Sequence, residues 1–278
     1  MSNKGLRLLD FEDVTFSYQN QSAPAVKGCT FNIREGEFVS LVGHNSSGKS
    51  TIAKLSNGLL QPKEGQVCVY GIPTTDQERL IEIRANVGLV FQNPDNQTVA
   101  SLVEDDVAFG PENLNLPPEE IRKRVDEALS IVGLLHLLKH PVHHLSGGQK
   151  QLVAIAGILA IKPKLLILDE ATSLIDPKGR KQVLEKIKQL HKDGYAIVMI
   201  THRMEEVLLS ERSIALEKGS MIFDGKPEDL FSDASLLARA GLQRPPLVQL
   251  VESLSDNGVE VPFPKDENEL VEALCQLK

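Results

Sequence analysis

Apolar and polar residues alternate at the start of the chain. Val14, Phe16 and Tyr18 interleave with Thr15 and Ser17, and Cys29, Phe31 and Ile33 repeat the two-residue period of a strand. The turn Glu35-Gly36-Glu37 leads into Phe38–Val42, a nearly unbroken apolar run suited to a strand covered on both faces. A Gly-rich turn and a helix follow, with Ile52, Leu55 and Leu59 on one side and Pro62 and Gly65 ending the unit. Gln66–Tyr70 predicts a short strand, then a polar helix, then a strand over Val87–Phe91. From about 95 to 160 the pattern turns helical, and Pro118 starts a helix carrying Ile121, Val125, Leu129 and Val132. Strands and helices then alternate: Leu165–Leu168, a helix from Pro177 to about Lys192, Ala196–Ile200, Ile214–Leu216 and Met221–Phe223. This order predicts an α/β core with a helical insertion.

The remaining composition narrows the function classes. With 278 residues and 41% hydrophobic content, the chain can bury one large core plus a small appendage. A net charge of −8 without a long basic run argues against a nucleic-acid partner. Three distant cysteines, Cys29, Cys68 and Cys275, fit neither a disulfide framework nor a zinc pattern and read as reduced thiols. The first residues lack the apolar core of a secretory signal. Leu152–Ile161, the longest apolar stretch, is too short to span a bilayer, so any membrane role must run through a partner. After Pro227 the composition shifts: residues 226–278 hold five Lys/Arg against ten Asp/Glu, with Pro245-Pro246 and Val261-Pro262-Phe263-Pro264 as punctuation.

Three segments carry chemistry. Gly43-His44-Asn45-Ser46-Ser47-Gly48-Lys49-Ser50 fits the phosphate-binding loop G-x-x-x-x-G-K-[ST], between a buried strand and an amphipathic helix that continues with Thr51. Backbone N–H groups there form an anion nest, Lys49 neutralises phosphate charge and the Ser50 hydroxyl suits Mg²⁺. Leu165–Leu168 ends in Asp169 and Glu170; two acids at a strand end call for a cation, with Asp169 on the metal and Glu170 as the base for an attacking water. Leu145-Ser146-Gly147-Gly148-Gln149 precedes a helix over Lys150–Ala160 and makes a second Gly-rich helix N-terminus suited to phosphate. One chain with one nucleotide loop has no evident use for two such sites.

Together these segments resemble the nucleotide-binding domain of ABC transporters, over roughly residues 6–230. The resemblance implies a P-loop NTPase core of ABC type over 1–225, with its helical subdomain at about 95–160 and a C-terminal extension over 226–278 that matches a dimerisation segment. It implies ATP and Mg²⁺ as ligands. Tyr18 resembles the aromatic that stacks on adenine, against the plainer reading of a strand-end core residue. Gln92 resembles the glutamine that senses magnesium and water, His202 the switch histidine at the γ-phosphate, and Ser173–Asp176 the loop that crosses a dimer interface. In that family two domains pair head to tail, and each Ser146-Gly147-Gly148 closes on the partner's ATP, which explains the second anion site.

Phe91–Gln97 and Val103–Gly110 narrow the resemblance to the energy-coupling factor transporters, and the asparagine-rich form of this segment to the first of their two ATPase paralogues. Such transporters import vitamins or transition-metal ions in prokaryotes. Implied partners are a second ATPase subunit (a paralogue or a second copy), a transmembrane coupling subunit and a substrate-binding membrane subunit, with the chain peripheral on the cytoplasmic face of the membrane. The alternatives are the ATPase of another ABC importer or exporter, or a soluble ABC ATPase. Four positions depart from the common pattern: Ser46 where Gly is frequent, Arg203 where Asp is common, and Leu174-Ile175 for a frequent Ala-Leu. If position 46 needs positive φ, Ser46 is strained. Asn93–Val103, opening with a turn signal and offering Val99, Leu102 and Val103, is expected to dock on a membrane subunit; the plainer reading packs these residues inside the helical insertion.

Overall fold

A computed structural model describes residues 5–19 and 23–276. In chain order, two strands, β1 (Arg7–Phe16) and β2 (Val26–Arg34), precede the buried β3 (Phe38–Gly43) and helix α1 (Lys49–Ser56). Then come β4 (Glu64–Val69), β5 (Ile72–Pro73), α2 (Leu80–Asn86) and β6 (Val87–Val90). The helical region contains α3 (Val103–Asn113), α4 (Pro118–Val132) and α5 (Gly147–Leu159). The α/β pattern resumes with β7 (Leu165–Asp169), α6 (Pro177–Lys192), β8 (Ala196–Ile200), α7 (Met204–Val207), β9 (Arg212–Glu217) and β10 (Ser220–Gly225). Four helices follow: α8 (Pro227–Ser232), α9 (Ala234–Ala240), α10 (Pro246–Asp256) and α11 (Glu267–Gln276).

The strands form two sheets. One is antiparallel, in the order β2-β1-β4-β5. The other runs β10-β9-β3-β8-β7-β6 and is parallel except where β10 meets β9. Strand periodicity divides the core. Leu165, Ile167, Val198 and Ile200 face the antiparallel sheet and α1, while Leu166, Leu168, Ile197 and Met199 face the helical region. This explains why β3, β7 and β8 read as continuous apolar runs: both faces are covered.

The pattern predicted most elements within a residue or two, with two corrections. β1 starts at Arg7, seven residues before Val14, because Leu8, Leu9 and Phe11 are buried. Register shifts between Phe11 and Val14 break the alternation that would have marked this half of the strand. Leu59 is not on the buried side of α1: the helix ends at Ser56, and Leu59 is exposed beyond the turn at Gly58, whose φ is +69°.

The extension does not hang free. Leu230, Phe231, Leu236, Leu237 and Ala240 share a core with Val42, Val207 and Ala215. The C-terminal turn of α9 places Gly241 against the His44 ring, leaving no room for a β-carbon. Truncating fully buried Phe231 to Ala is expected to cost about 3–5 kcal/mol. Urea unfolding should then show one cooperative transition at a lower midpoint; loss of an early, separate transition with the main midpoint unchanged would mean that the extension folds independently.

Candidate functional site

The phosphate-binding segment lies at the carboxyl end of β3. Gly43 has φ +143° and lies against the Leu216 carbonyl, where a β-carbon would collide. Gly48, at φ +105°, starts α1 without a side-chain cap. Lys49 folds its ammonium back across the loop, donating to the Gly43 and His44 carbonyls at 2.8 Å each. Burial lowers the Lys49 pKa, opposed by the charges of Glu170 and Asp169. The Ser47 hydroxyl is buried without a hydrogen-bond partner, and Ser46 has φ +63°. The loop thus holds a buried cation and an unspent polar group, as an anion site requires.

Both acids arrive from the end of β7, which β8 separates from β3. The Ser50 hydroxyl donates to Asp169 Oδ1 at 3.1 Å. Burial raises the Asp169 pKa despite that bond. Glu170 leaves β7 in the left-handed region (φ +50°), and its N–H donates to the Ile200 carbonyl at the end of β8. Its carboxylate accepts from Gln92 Nε2 at 2.9 Å and faces His202 Nδ1 at 3.5 Å. Gln92 follows β6 and also reaches Ser173 Oγ at 3.2 Å. Gln92, Glu170 and His202 therefore meet from three strand ends, at the carboxyl edge where parallel sheets bind ligands.

A cleft of about 390 Å³ runs past Tyr18, Asn45, Lys49, Ser50, Gln92 and Glu170. The Tyr18 hydroxyl bonds Thr51 Oγ1 at 3.2 Å, while its ring packs edge-on against Phe16, so it serves both core and cleft. A second cleft of about 730 Å³, beyond Asn45 and Ser46, takes in His44, His202, Lys218 and Arg239.

Leu145–Gln149 lines neither cleft. Ser146 and Gln149 cap each other: Gln149 N–H donates to Ser146 Oγ, and Ser146 N–H to Gln149 Oε1. Leu145 is buried. Gly147 lies beside Ile175, and a β-carbon on Gly148 would press on Gly179 at 2.9 Å. Asp176 caps α6, accepting from Lys178 N–H and Gly179 N–H at 3.0 Å each, and the Gly179 bond leads in lowering its pKa.

Of the three expected metal ligands, Ser50 and Asp169 are paired, whereas the Gln92 amide points at Glu170. Among the described residues no cluster of three His, Cys, Asp or Glu could hold a metal by itself. One hydroxyl and one buried carboxylate beside a phosphate cradle do fit Mg²⁺, which takes few protein ligands and completes its octahedron with phosphate oxygens and water.

Sequence reading pointed to Val99 alone in a groove of about 650 Å³ between α2, the 91–99 segment, α3 and α5, and missed the rest of its apolar lining. Leu59, Ile81, Val99 and Phe109 line it, each 47–64% exposed. Leu59, Ile81 and Phe109 come from separate elements, so no local pattern groups them. Val103 is corrected: it is fully buried in the helical region, at the first residue of α3. Glu206 was also missed; it is buried and accepts from Thr172 Oγ1 and Thr201 Oγ1 at 2.6 Å each. In sequence it is one of two adjacent acids in Met204–Leu209, and nothing local marks it rather than Glu205 as the buried one.

The comparisons with known proteins agree on one group. A family described as "ABC transporter" matches residues 26–173. A protein of Caldanaerobacter subterraneus subsp. tengcongensis, named energy-coupling factor transporter ATP-binding protein EcfA1, is 46% identical over 270 residues, 95% of this chain and 98% of its own. Its namesake in Halalkalibacterium halodurans is 47% identical, over 99% of this chain and 98% of its own. The structure of cbiO1 from Clostridium perfringens, described as part of the ABC transporter complex cbiONQ, superposes with a TM-score of 0.75 at 36% identity, over 88% of this chain and 99% of that one. A dimeric structure of the ATP-binding cassette MJ0796 in a post-hydrolysis state, bound to ADP and Pi, gives 0.71 at 33% identity, over 79% and 99%.

Left-handed backbone costs a non-Gly residue about 1 kcal/mol. Ser46→Gly removes that cost but loosens the unfolded chain by a similar amount, about 0.4–1 kcal/mol. Global stability should therefore stay nearly level while nucleotide binding is unchanged or tighter. Titration with a fluorescent ATP analogue checks this; weaker binding would show that the Ser46 side chain contacts the ligand.

Proposed function

This chain belongs to the ABC transporter family, and from that premise we propose that it is the ATP-hydrolysing subunit of an energy-coupling factor importer. It binds and hydrolyses ATP, pairs with a second ATP-binding subunit and works with membrane subunits. The observation that carries the assignment of roles is the convergence of Lys49, Ser50, Asp169, Gln92, Glu170 and His202 at the carboxyl edge of the parallel sheet.

The loop N–H groups over 43–51 and the Lys49 ammonium receive the ATP phosphates, and Tyr18 packs on the adenine. Ser50 and Asp169 hold Mg²⁺, which when bound neutralises phosphate charge. Glu170 accepts the proton of the attacking water at its carboxylate. Gln92, bonded to that carboxylate, holds it toward the water, and His202, beside the same carboxylate, contacts the γ-phosphate. Leu145, Ser146, Gly147, Gly148 and Gln149 serve the ATP of the partner subunit, with Asp176 and its loop at the interface. Their absence from the lining of this chain's own clefts supports a shared site.

The apolar groove receives a helix of the transmembrane coupling subunit. Among the described residues no helix is long and apolar enough to cross a membrane. The names of the relatives support a peripheral place on the cytoplasmic face, where the chain acts through that contact. A separate membrane subunit selects the cargo, a vitamin or transition-metal ion. The Phe91–Gly110 resemblance and the names of the relatives support this class.

Glu170→Gln should retain ATP binding and lose turnover by roughly 10²–10⁴-fold, the range of a general base. Lys49→Ala should lose affinity as well, because it removes a charge from the phosphate cradle. Binding and turnover measured on the same preparation separate the two; near-normal turnover of Glu170→Gln would reject Glu170 as the base.

Val99→Asp should weaken assembly with the coupling subunit and leave ATP binding by the isolated chain intact. Its side chain is exposed, so the substitution removes nothing from the core. A pull-down with the membrane subunits reads the first effect; unimpaired assembly and transport would take the docking helix elsewhere.

A further inference from the structure

The loops after β7 and β8 carry Glu170 and His202, and two bridges hold them together. One faces the cleft: the Glu170 carboxylate beside the His202 ring, with the Glu170 N–H on the Ile200 carbonyl. The other lies beneath the surface. Glu206, 3% exposed in the short helix α7, accepts the Thr172 hydroxyl at Oε1 and the Thr201 hydroxyl at Oε2, each at 2.6 Å. Thr172 is two residues past Glu170 and Thr201 immediately precedes His202; both are buried. Thr201 Oγ1 also accepts the Arg203 N–H at 3.0 Å, which fixes the backbone on the other side of His202.

Burying a carboxylate is unfavourable unless its oxygens are satisfied, and charge-assisted hydrogen bonds are short and strong. A threonine hydroxyl has one proton to give, so each oxygen of Glu206 fixes the rotamer and backbone of one loop. Gln92 completes the ring from outside, bonding Glu170 and Ser173, the neighbour of Thr172.

We propose that Glu206 is a positioning residue for hydrolysis, clamping Thr172 and Thr201 so that Glu170 and His202 address the same γ-phosphate. It touches neither nucleotide nor water. This rests on the assignment of Glu170 and His202 to hydrolysis above. The phosphate cradle is built from the loop after β3, to which none of the three clamp residues is hydrogen-bonded. The clamp therefore acts on turnover and not on affinity. A misplacement of about 1 Å at a reacting group can cost on the order of 100-fold in rate.

The test uses the protein purified with its partner subunits, with turnover counted per bound nucleotide so that unfolded chains are excluded. Thr172→Val keeps the shape and deletes one clamp bond. Glu206→Gln keeps the size but must present its amide nitrogen to one hydroxyl. Each should lower kcat on the order of 10-fold or more with ATP affinity changed less than about threefold, and Thr172→Ser, which retains the hydroxyl, should recover most of the loss. The double variant Thr172→Val/Glu206→Gln should lose little beyond the worse single variant, because both break one device. Full turnover of Thr172→Val, parallel loss of affinity, or additive losses would overturn the clamp. Glu170→Gln assayed alongside separates the premises: if it hydrolyses normally, the assignment of the base fails, whatever the clamp variants show.

Discussion

Asp169 must keep its carboxyl at the end of a strand with no exposed face. Leu165–Asp169 is buried throughout, and burial pushes the Asp169 pKa up. The sheet tolerates this because polar groups gather at the same edge: the Ser50 hydroxyl bonds the carboxylate, while the Lys49 and Lys54 charges act to lower its pKa. Lys49 is under the opposite strain, losing its proton more readily because it too is buried. An acid and a base, each destabilised in its charged form, sit within reach of one cleft. A bound polyphosphate with its counter-cation relieves both at once, so charge complementarity favours the nucleotide before any base contact does.

That edge also explains where backbone strain is tolerated. Ser46 and Glu170 both lie in the left-handed region, one in the phosphate loop and one directly after Asp169. Tertiary bonds hold the second: Glu170 N–H to the Ile200 carbonyl, Gln92 to its carboxylate, and Glu206 to the neighbouring loop residues. A Glu held at positive φ turns its side chain out of the sheet toward the cleft, where an alternating strand would have pointed it at a core face.

Legibility in the sequence followed contiguity. Gly43–Ser50 and Leu165–Glu170 are each read off one short stretch, because a loop and the strand that feeds it carry the chemistry locally. Tyr18, Gln92 and His202 are single residues at strand ends and needed a family resemblance to stand out. Beyond that, local pattern fails for physical reasons. β1 was half missed because bulges break its alternation. Val103 looked like an exposed docking residue because a helix start has too few turns to show a periodic face, and it is buried. Leu59, Ile81 and Phe109 form a groove only after three elements pack together. Glu206 reads as a surface acid until Thr172 and Thr201 are brought to it from other segments.

The same constraint accounts for what the chain lacks on its own. Its own clefts are lined by the 43–51 loop, Gln92, Glu170 and His202, but Ser146-Gly147-Gly148 stands elsewhere, tied to the 175–179 turn through Gly147 and Gly148. The glycines allow α5 and α6 to start close together, so Ser146-Gly147-Gly148 packs against the loop that follows Glu170. Gln92 links that loop to the 91–99 segment beside the exposed apolar groove. Hydrogen bonds and packed backbone thus run from Glu170 through residues 170–179 to Ser146-Gly147-Gly148, and through Gln92 to the groove.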